Sequence, residues 1–270
     1  MKGPLFYSKI LLFGEYGIIQ DSKGLSIPYN FYNGALKKED HPSPEAIASN
    51  GHLKRFVTYL ESLQTEQPDL VQFDIATLQK DVNEGMYFDS SIPQGYGVGS
   101  SGALVAAIYD KYAQHKITVL ENLTREKLLE LKTIFSQMES FFHGKSSGLD
   151  PLNSYLSIPI LINSKDNIEA TGIPTQSFDG KGAVFLLDSG IVGETAPMVN
   201  IFMENLKDQG FRTMLKSQFV KHTDACVENF LVGDIKALFS NTKKLSKVVL
   251  NHFKPMIPEQ FHGVWQQGID

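Results

Sequence analysis

Cysteine is almost absent from this chain, and long apolar runs are missing altogether. The single cysteine among 270 residues, Cys226, excludes an internal disulfide and is typical of a reducing compartment. We expect it to be a buried helix residue and not a nucleophile. The first apolar run is interrupted by Gly14 and Glu15, so it fits neither a signal peptide nor a membrane span. The sequence therefore predicts a soluble, cytoplasmic protein with no membrane partner.

An excess of positive charge is lacking too, because the formal net charge is -5 at pH 7. This balance argues against nucleic acid as the main partner. It does not argue against ATP, since a cluster of backbone N–H groups, one lysine and Mg²⁺ can neutralise phosphates locally. Repeats, low-complexity tracts and long linkers are also absent. The hydrophobic fraction of 42% is enough for the core of one large domain or two ordinary ones.

Hydrophobic periodicity predicts several strands and a helix-rich second half. Strands are predicted at Leu5 to Phe13, Leu25 to Leu36 with Pro28 at an edge or bulge, Phe73 to Thr77 paired with Met86 to Ser90, Tyr155 to Ile162, and, as a buried strand, Gly182 to Asp188. Helices are predicted at Pro44 to Leu63, Ser101 to His115, Thr124 to Phe142, Thr195 to Lys207, Gly210 to Phe230 and Gly233 to Phe253. Ile47, Leu53, Phe56, Val57 and Leu60 would form the apolar face of the first helix, and Thr124 would be an N-cap. This order favours an α+β architecture with a boundary in the polar stretch 163–181.

The stretch from Pro93 to Ala103 is rich in glycine and leads into a predicted helix. Gly95, Gly97 and Gly99 occupy alternate positions, where the lack of a Cβ lets the backbone turn tightly and approach a ligand. The serines that follow open the helix, and its free N–H groups and positive dipole end suit a phosphate group. The sequence therefore predicts nucleotide binding here.

Taken alone, this glycine loop leaves alternatives open. Gly97-x-Gly99-x-x-Gly102 fits the dinucleotide-binding pattern, with Glu121 at about the right distance. However, Ser90-Ser91-Ile92-Pro93 replaces the apolar strand that this pattern needs, and Glu121 lies in a polar loop. This loop is not a Walker loop, because it contains no Gly-Lys-Ser/Thr. A dinucleotide-dependent dehydrogenase and a purely structural turn before a packed helix both remain alternatives.

Two further blocks carry ionisable residues. Glu139 ends a predicted helix, and Asp150 follows a glycine-rich loop that can bring it back near the same point. Two such carboxylates can divide their roles, one holding a metal and the other accepting a proton from a substrate hydroxyl. Lys9, at the start of a strand, can assist deprotonation and neutralise phosphate if it lies near a carboxylate. Separately, each has an ordinary interpretation as a surface lysine, a solvated helix face or a turn before proline.

In this order, the three blocks resemble the GHMP small-molecule kinases. The segments that carry the resemblance are the phosphate loop Pro93-x-x-x-Gly-x-Gly-Ser-Ser-x-Ala103, the N-terminal signature Lys9-Ile-Leu-Leu-x-Gly-Glu-Tyr16, and Asp188-Ser-Gly-x-x-x-x-Thr195 at the start of the C-terminal domain. The block Glu139-x-x-x-His-Gly-x-x-Ser-Gly-x-Asp150 is similar to the mevalonate kinase version in spacing and residue type. The resemblance implies a two-domain α+β GHMP kinase fold. Residues 1–175 would form a ribosomal-protein-S5-domain-2-like domain, and 176–270 a ferredoxin-like α/β domain that is cut short.

The resemblance also implies an activity and residue roles. The chain would use ATP and Mg²⁺ to phosphorylate a small alcohol: mevalonate first, with phosphomevalonate, a sugar or another alcohol as alternatives. Asp150 would be the catalytic base, Lys9 would lower the pKa of the acceptor hydroxyl, and Ser101 and Glu139 would hold Mg²⁺. The residues that would cradle the ATP phosphates are Gly95, Gly97, Gly99, Ser100, Ser101 and Gly102. Those that would bind or shape the acceptor site are Glu15, Tyr16, His143, Ser147 and Thr195.

The chain departs from the family pattern at three points. Tyr16 stands where mevalonate kinases usually have histidine and phosphomevalonate kinases tyrosine. Gly102 replaces the usual alanine, which weakens a helix start by about 1 kcal/mol at most. No third glycine-rich motif occurs between Cys226 and Asp270, so we expect a truncated sequence. The alternative is a protein that has dispensed with the motif, which would allow a catalytically silent nucleotide-binding relative. Family likeness also suggests a homodimer.

Overall fold

The structure, a computed structural model, describes residues 4–119, 122–174, 184–193 and 195–270, without the side chains of His143, Thr195 and Ala196. Its strands are β1 (Phe6–Phe13), β2 (Gly24–Lys37), β3 (Tyr87–Ser90), β4 (Ile160–Ser164) and β5 (Asn167–Ala170). Its helices are α1 (Pro44–Glu66), α2 (Ile75–Asn83), α3 (Ser100–Tyr112), α4 (Arg125–His143), α5 (Leu149–Leu156), α6 (Thr195–Asn205), α7 (Gln209–Met214), α8 (Lys221–Val232), α9 (Ile235–His252) and α10 (His262–Ile269). A π-helical segment, Leu215–Val220, joins α7 to α8.

The chain forms two compact units. The first contains the described residues of Met1–Ile10 and Ile27–Ile158, and the second those of Leu11–Ser26 and Pro159–Asp270. Strands β1 and β2 therefore contribute residues to both units. The domain limit predicted after residue 175 falls outside the described residues and stays a prediction.

The strands form one sheet of order β1-β2-β4-β5, with β3 also paired to β2. In the first unit, Gly34 to Lys37 of β2 pair antiparallel with β3. In the second unit, Gly24 to Ser26 pair antiparallel with β4, which in turn pairs with β5. Pro28 lies between these two ladder segments, so its missing N–H removes no bond to β3 or β4. The two N-terminal strands are where the sequence predicts them.

Helices α1 and α4 begin where the sequence predicts them. Ser43 caps α1 by accepting a hydrogen bond from the Ala46 N–H at 3.2 Å, and Thr124 caps α4 by accepting one from the Lys127 N–H at 3.4 Å. The predicted apolar face of α1 is buried from Leu53 to Leu60. Ile47 is an exception, because its side chain is 60% exposed. The prediction that it belongs to this face is wrong: Ala46 in the same turn is buried, and Ile47, the next residue, is rotated by about 100° around the helix axis from it.

The strand predicted at Phe73 to Thr77 is wrong. Asp74 accepts a hydrogen bond from the Thr77 N–H at 3.0 Å and starts α2 at Ile75. Phe73 makes only an isolated bridge with Ala113. Local capping by an aspartate therefore outweighs the β-propensity of a short apolar run.

The strand predicted at Tyr155 to Ile162 is correct only in its second half. Tyr155 and Leu156 are the last residues of α5, and β4 begins at Ile160. Gly148 starts α5 in the left-handed region, with φ of 73°, and Pro151 lies in its first turn, where a proline costs no helical hydrogen bond.

The second unit has a helical core. Its buried residues are Phe202, Met214, Leu215, Phe219, Val248 and Phe253. Phe211, which is half-buried, packs against the same cluster. Cys226 is fully buried in α8, as predicted. None of the helices in the described ranges is both long and apolar enough to cross a membrane.

The buried strand predicted at Gly182 to Asp188 is wrong in its described part. Val184 and Phe185 are 79% and 80% exposed, and Leu186 and Leu187 are 50% and 60% exposed. Residues 184–188 belong to no strand. An apolar run forms a strand only where a neighbouring strand satisfies its backbone groups, and among the described residues no ladder includes these positions.

Candidate active site

The glycine loop has the backbone conformation for which glycine is suited. Gly95, Gly97 and Gly99 have φ values of 78°, 69° and 85°, all in the left-handed region that other residues avoid. The Lys9 N–H donates to the Val98 carbonyl oxygen at 3.0 Å, which joins β1 to the loop. A Cβ on Gly99 would lie 3.1 Å from Cγ of Lys9. The loop therefore rests directly on the side chain of Lys9 before it enters α3.

Lys9 and Asp150 form an ion pair, with 2.9 Å between Nζ and Oδ1. The side chain of Lys9 is 9% exposed and that of Asp150 is 35% exposed. Lys9 comes from β1, whereas Asp150 lies in the first turn of α5, where the positive end of the helix dipole favours a carboxylate. The structure thus brings together the two residues that the resemblance pairs as base and assisting lysine.

Gly102 lets α3 and α5 approach closely. A Cβ at this position would lie 2.8 Å from the carbonyl carbon of Asp150, 2.8 Å from the nitrogen of Pro151 and 3.0 Å from Cβ of Asp150. Sequence reasoning treated this glycine as a slightly weaker helix start. The structure shows a larger role, because the backbone that carries Asp150 occupies the space where an alanine methyl would be.

Glu139 is a buried carboxylate at the same place. Its residue is 4% exposed, and its Oε1 accepts a hydrogen bond from Oγ of Ser101 at 2.9 Å. Its Oε2 accepts one from Oγ of Ser146 at 2.5 Å. Burial and the nearby charge of Asp150 raise the pKa of Glu139 to about 7. Because burial and Asp150 disfavour the charged form of this carboxyl, a cation bound beside it would stabilise that form.

The loop after α4 folds back onto that helix. Gly148 has φ of 73°, and a Cβ there would lie 2.1 Å from the Lys132 carbonyl oxygen and 2.7 Å from the Ser136 nitrogen. Oγ of Ser136 donates to the carbonyl oxygen of Ser146 at 2.6 Å. This return path is what brings Asp150 near Glu139, as the spacing of the block predicts.

The remaining predicted residues are placed elsewhere or are not described. Ser100 is the first residue of α3, and Ser147 is exposed, with its Oγ accepting from the Leu149 N–H at 3.4 Å. Glu15 is exposed in the second unit. Three predicted groups lie outside the described part of the structure: the side chains of His143 and Thr195, and all of Glu121.

Tyr16 belongs to the second unit and packs into its aromatic core. Its ring centroid lies 5.7 Å from that of Phe202 and 6.4 Å from that of Phe253. Burial, with a smaller contribution from Glu15, raises the pKa of the Tyr16 hydroxyl to about 12. Its φ of 59° is strained for a residue other than glycine, and the ring contacts help to hold it.

Ser146 is the site residue that sequence reasoning missed. The available signal was the pair Ser146-Ser147 between two glycines, because either hydroxyl could have turned toward Glu139. Only the turn geometry decides that Ser146 points to the carboxylate while Ser147 stays exposed.

The donor set around Glu139 fits a hard divalent cation. Among the residues that the structure describes, no group of three or more His, Cys, Asp or Glu side chains could hold a metal alone. Mg²⁺ in phosphate-transferring sites is usually held by one or two carboxylates together with the phosphates of the nucleotide. Glu139 supplies one buried carboxylate and Ser101 an adjacent hydroxyl. These two residues therefore fit the group that the resemblance implies.

The comparisons with known proteins point to the same family as the sequence motifs. The family model of the GHMP kinases N terminal domain matches residues 63–157. This segment of the chain is similar to the N-terminal domain of the GHMP kinases. The resemblance seen in the sequence is thereby confirmed, and the matched segment includes the glycine loop, Glu139 and Asp150. GHMP kinases are phosphotransferases that use ATP, generally with Mg²⁺.

Solved structures share the fold. The mevalonate kinase of Methanococcus jannaschii aligns with a TM-score of 0.50 and 14% identity over 93% of this chain and 80% of its own. Another mevalonate kinase structure aligns with a TM-score of 0.50 and 14% identity over 91% of this chain and 79% of its own. At this identity the likeness shows the fold alone, and it confirms the predicted α+β GHMP kinase fold. A search of curated protein sequences finds no match.

Proposed function

We propose that this chain is an ATP-dependent kinase that transfers the γ-phosphoryl group to a hydroxyl of a small alcohol, with mevalonate as the first acceptor to test. The observation that carries the proposal is the Lys9–Asp150 ion pair directly beside the glycine loop. Ser101, at the start of α3 directly after the glycine loop, is hydrogen-bonded to the Glu139 carboxylate of α4. Phosphoryl transfer depends mainly on positioning and charge neutralisation, and these groups provide both.

The phosphates of ATP would bind at the start of α3. The backbone of residues 95–102 supplies N–H groups there, and the helix dipole favours negative charge at the same end. Ser101 and Glu139 would hold Mg²⁺, which when bound neutralises charge on the transferred phosphoryl group. Lys9, whose side-chain carbons lie against the loop, adds the fixed positive charge of its ammonium.

Asp150 would accept the proton of the acceptor hydroxyl. As that proton moves to the carboxylate, the acceptor oxygen bonds to the γ-phosphorus and the bond from phosphorus to the β-bridging oxygen breaks, releasing ADP. Lys9, at 2.9 Å from Asp150, can stabilise the negative charge that develops on the acceptor oxygen. No covalent intermediate with the protein is required.

Mevalonate is favoured by the block that joins Glu139 to Asp150, because it is similar to the mevalonate kinase version. The fold shared with mevalonate kinases supports this choice, and Tyr16 makes phosphomevalonate the alternative acceptor. The test is ADP release by the purified protein with Mg²⁺, ATP and a panel of acceptors: mevalonate, phosphomevalonate, galactose and homoserine. We expect release that depends on mevalonate. Release with another acceptor would keep the kinase and change its substrate.

Asp150→Asn tests the base. We expect it to abolish turnover while nucleotide affinity, measured by calorimetry, stays nearly unchanged. Asp110→Asn is the matched control, because Asp110 lies near the end of α3 and forms an ion pair with Lys116, which follows that helix. An active Asp150→Asn variant would show that another group takes the proton. Tight ATP binding without transfer to any acceptor would identify a silent nucleotide-binding relative instead, and binding of NAD but not ATP would refute the kinase.

A further inference from the structure

We propose that Ser146 is a positioning residue that fixes the Glu139 carboxylate for Mg²⁺ and ties it to the start of the helix that carries Asp150. The proposal rests on the proposed function, since it assigns the metal to Glu139. It adds a residue for which neither the resemblance nor the sequence analysis gives a role.

The hydroxyl of Ser146 can donate in only one direction. Its Oγ accepts a hydrogen bond from the Gly148 N–H at 3.0 Å, which uses a lone pair of the oxygen. A serine hydroxyl has a single proton, and the other close contact is Oε2 of Glu139 at 2.5 Å. Ser146 is therefore the donor to the charged Glu139 carboxylate, which is the form able to bind a cation, and that charge strengthens the bond.

The two serines on Glu139 divide its oxygens between them. Ser101 holds Oε1 from the side of the glycine loop, and Ser146 holds Oε2 from the side of the return loop. Together they set the plane of the carboxylate. Without Ser146, Oε2 would be a buried acceptor that has lost this partner, and the carboxylate could rotate away from the orientation that Ser101 sets.

Ser146 also connects Glu139 to Asp150 through the backbone. The Ser146 hydroxyl accepts a hydrogen bond from the N–H of Gly148. Gly148 is the N-cap residue of α5, and Asp150 follows two residues later. The path of the loop has a second support besides this hydroxyl, because Ser136 separately holds the Ser146 carbonyl. Removing the hydroxyl alone should therefore leave the loop in place and change the orientation of the carboxylate.

The test is a series at position 146 with two binding measurements. Calorimetry would give the Mg²⁺ affinity of the protein loaded with a non-hydrolysable ATP analogue, and the affinity of that analogue in EDTA. For Ser146→Ala we expect Mg²⁺ affinity to fall by about 10- to 100-fold while metal-free analogue affinity changes less than about twofold. Ser146→Thr keeps the hydroxyl and should restore Mg²⁺ affinity, and Ser146→Cys, a weaker donor, should fall between the two.

Ser140→Ala is the matched control, because that hydroxyl donates to the Ser136 carbonyl within α4, next to Glu139. Thermal unfolding would check that each variant is folded. Unchanged Mg²⁺ affinity in Ser146→Ala, an equal loss with and without metal, or no rescue by threonine would overturn the proposal. If Ser146→Ala does not fold, equal Mg²⁺ affinities for the cysteine variant and wild type would overturn it.

The binding measurements do not require turnover. If Ser146→Ala loses Mg²⁺ affinity as expected but the wild-type protein transfers phosphate to no acceptor, the proposed function is refuted and the role of Ser146 is retained. If the wild-type protein turns over an acceptor but Ser146→Ala keeps its Mg²⁺ affinity, the proposed function is retained and the role of Ser146 is refuted. A wild-type protein that binds neither the analogue nor Mg²⁺ would overturn both.

Discussion

Replacing Glu139 by glutamine should change how stability depends on pH. The folded protein holds the pKa of Glu139 at about 7, above the ordinary value of 4.5, because the carboxyl is buried near Asp150. Between these values the folded state keeps a proton that the unfolded state has released. Stability must therefore fall as pH rises through this range, and it is fully present only below the unfolded pKa. The expected loss is about 3 kcal/mol in the protein without ligands.

Urea unfolding at pH 5, 6, 7 and 8, without nucleotide or metal, measures this loss. Glutamine resembles the protonated carboxyl and does not titrate. The free energy of unfolding of Glu139→Gln relative to wild type should therefore rise by about 2.5 kcal/mol between pH 5 and pH 8, the part of the loss that falls in this range. Glu130→Gln, a change at an exposed residue of the same helix, is the matched control.

A difference between Glu139→Gln and wild type that stays constant from pH 5 to pH 8 would refute the reasoning. It would mean that the Glu139 carboxyl is charged in the folded protein throughout this range. Adding Mg²⁺ and a non-hydrolysable ATP analogue should oppose the effect in wild type, because a bound cation stabilises the charged carboxylate. A pH dependence that ligand leaves untouched would place the cation away from Glu139.

Two further substitutions test the packing and charge of the site. Gly102→Ala should lower the free energy of unfolding by about 1–3 kcal/mol in urea and reduce turnover, because its methyl group would meet the backbone of Asp150 and Pro151. The matched control is Gly263→Ala in α10, where a Cβ meets nothing within 4 Å and helix propensity predicts a gain in stability. Equal effects of the two changes on the free energy of unfolding would refute the packing argument. Lys9→Met should reduce kcat by about 100-fold or more while the KM for ATP changes little, because the ammonium acts on developing charge. Steady-state kinetics decide this, and a larger loss in KM than in kcat would show that Lys9 serves mainly to bind the nucleotide.

The glycine loop could be predicted because its geometry is a local property. Alternate glycines before two serines allow left-handed backbone at Gly95, Gly97 and Gly99, and all three show it. The return of Asp150 to Glu139 could be expected for a related reason, since a short loop with glycines at both ends allows few paths. Thr124, a capping residue before a periodic run, set its helix start equally well.

Other features depend on contacts that the sequence does not reveal. The importance of Gly102 arises from the backbone of α5, 48 residues further along at Asp150. The choice between Ser146 and Ser147 depends on a turn whose direction α4 decides. The exposure of Val184 to Leu187 shows the same limit, because an apolar run is a strand only when a neighbouring strand is present.

Lys9 joins two parts of the site through different atoms of one residue. Its backbone N–H is bound to the glycine loop at Val98, and its ammonium is bound to Asp150. The Lys9 amide can exchange with deuterium only when the loop separates from β1, so its protection factor measures the free energy of opening that loop. Because the Lys9 side chain takes no part in the hydrogen bond to Val98, a substitution at position 9 can remove the charge while the backbone amide still reports whether the loop is closed.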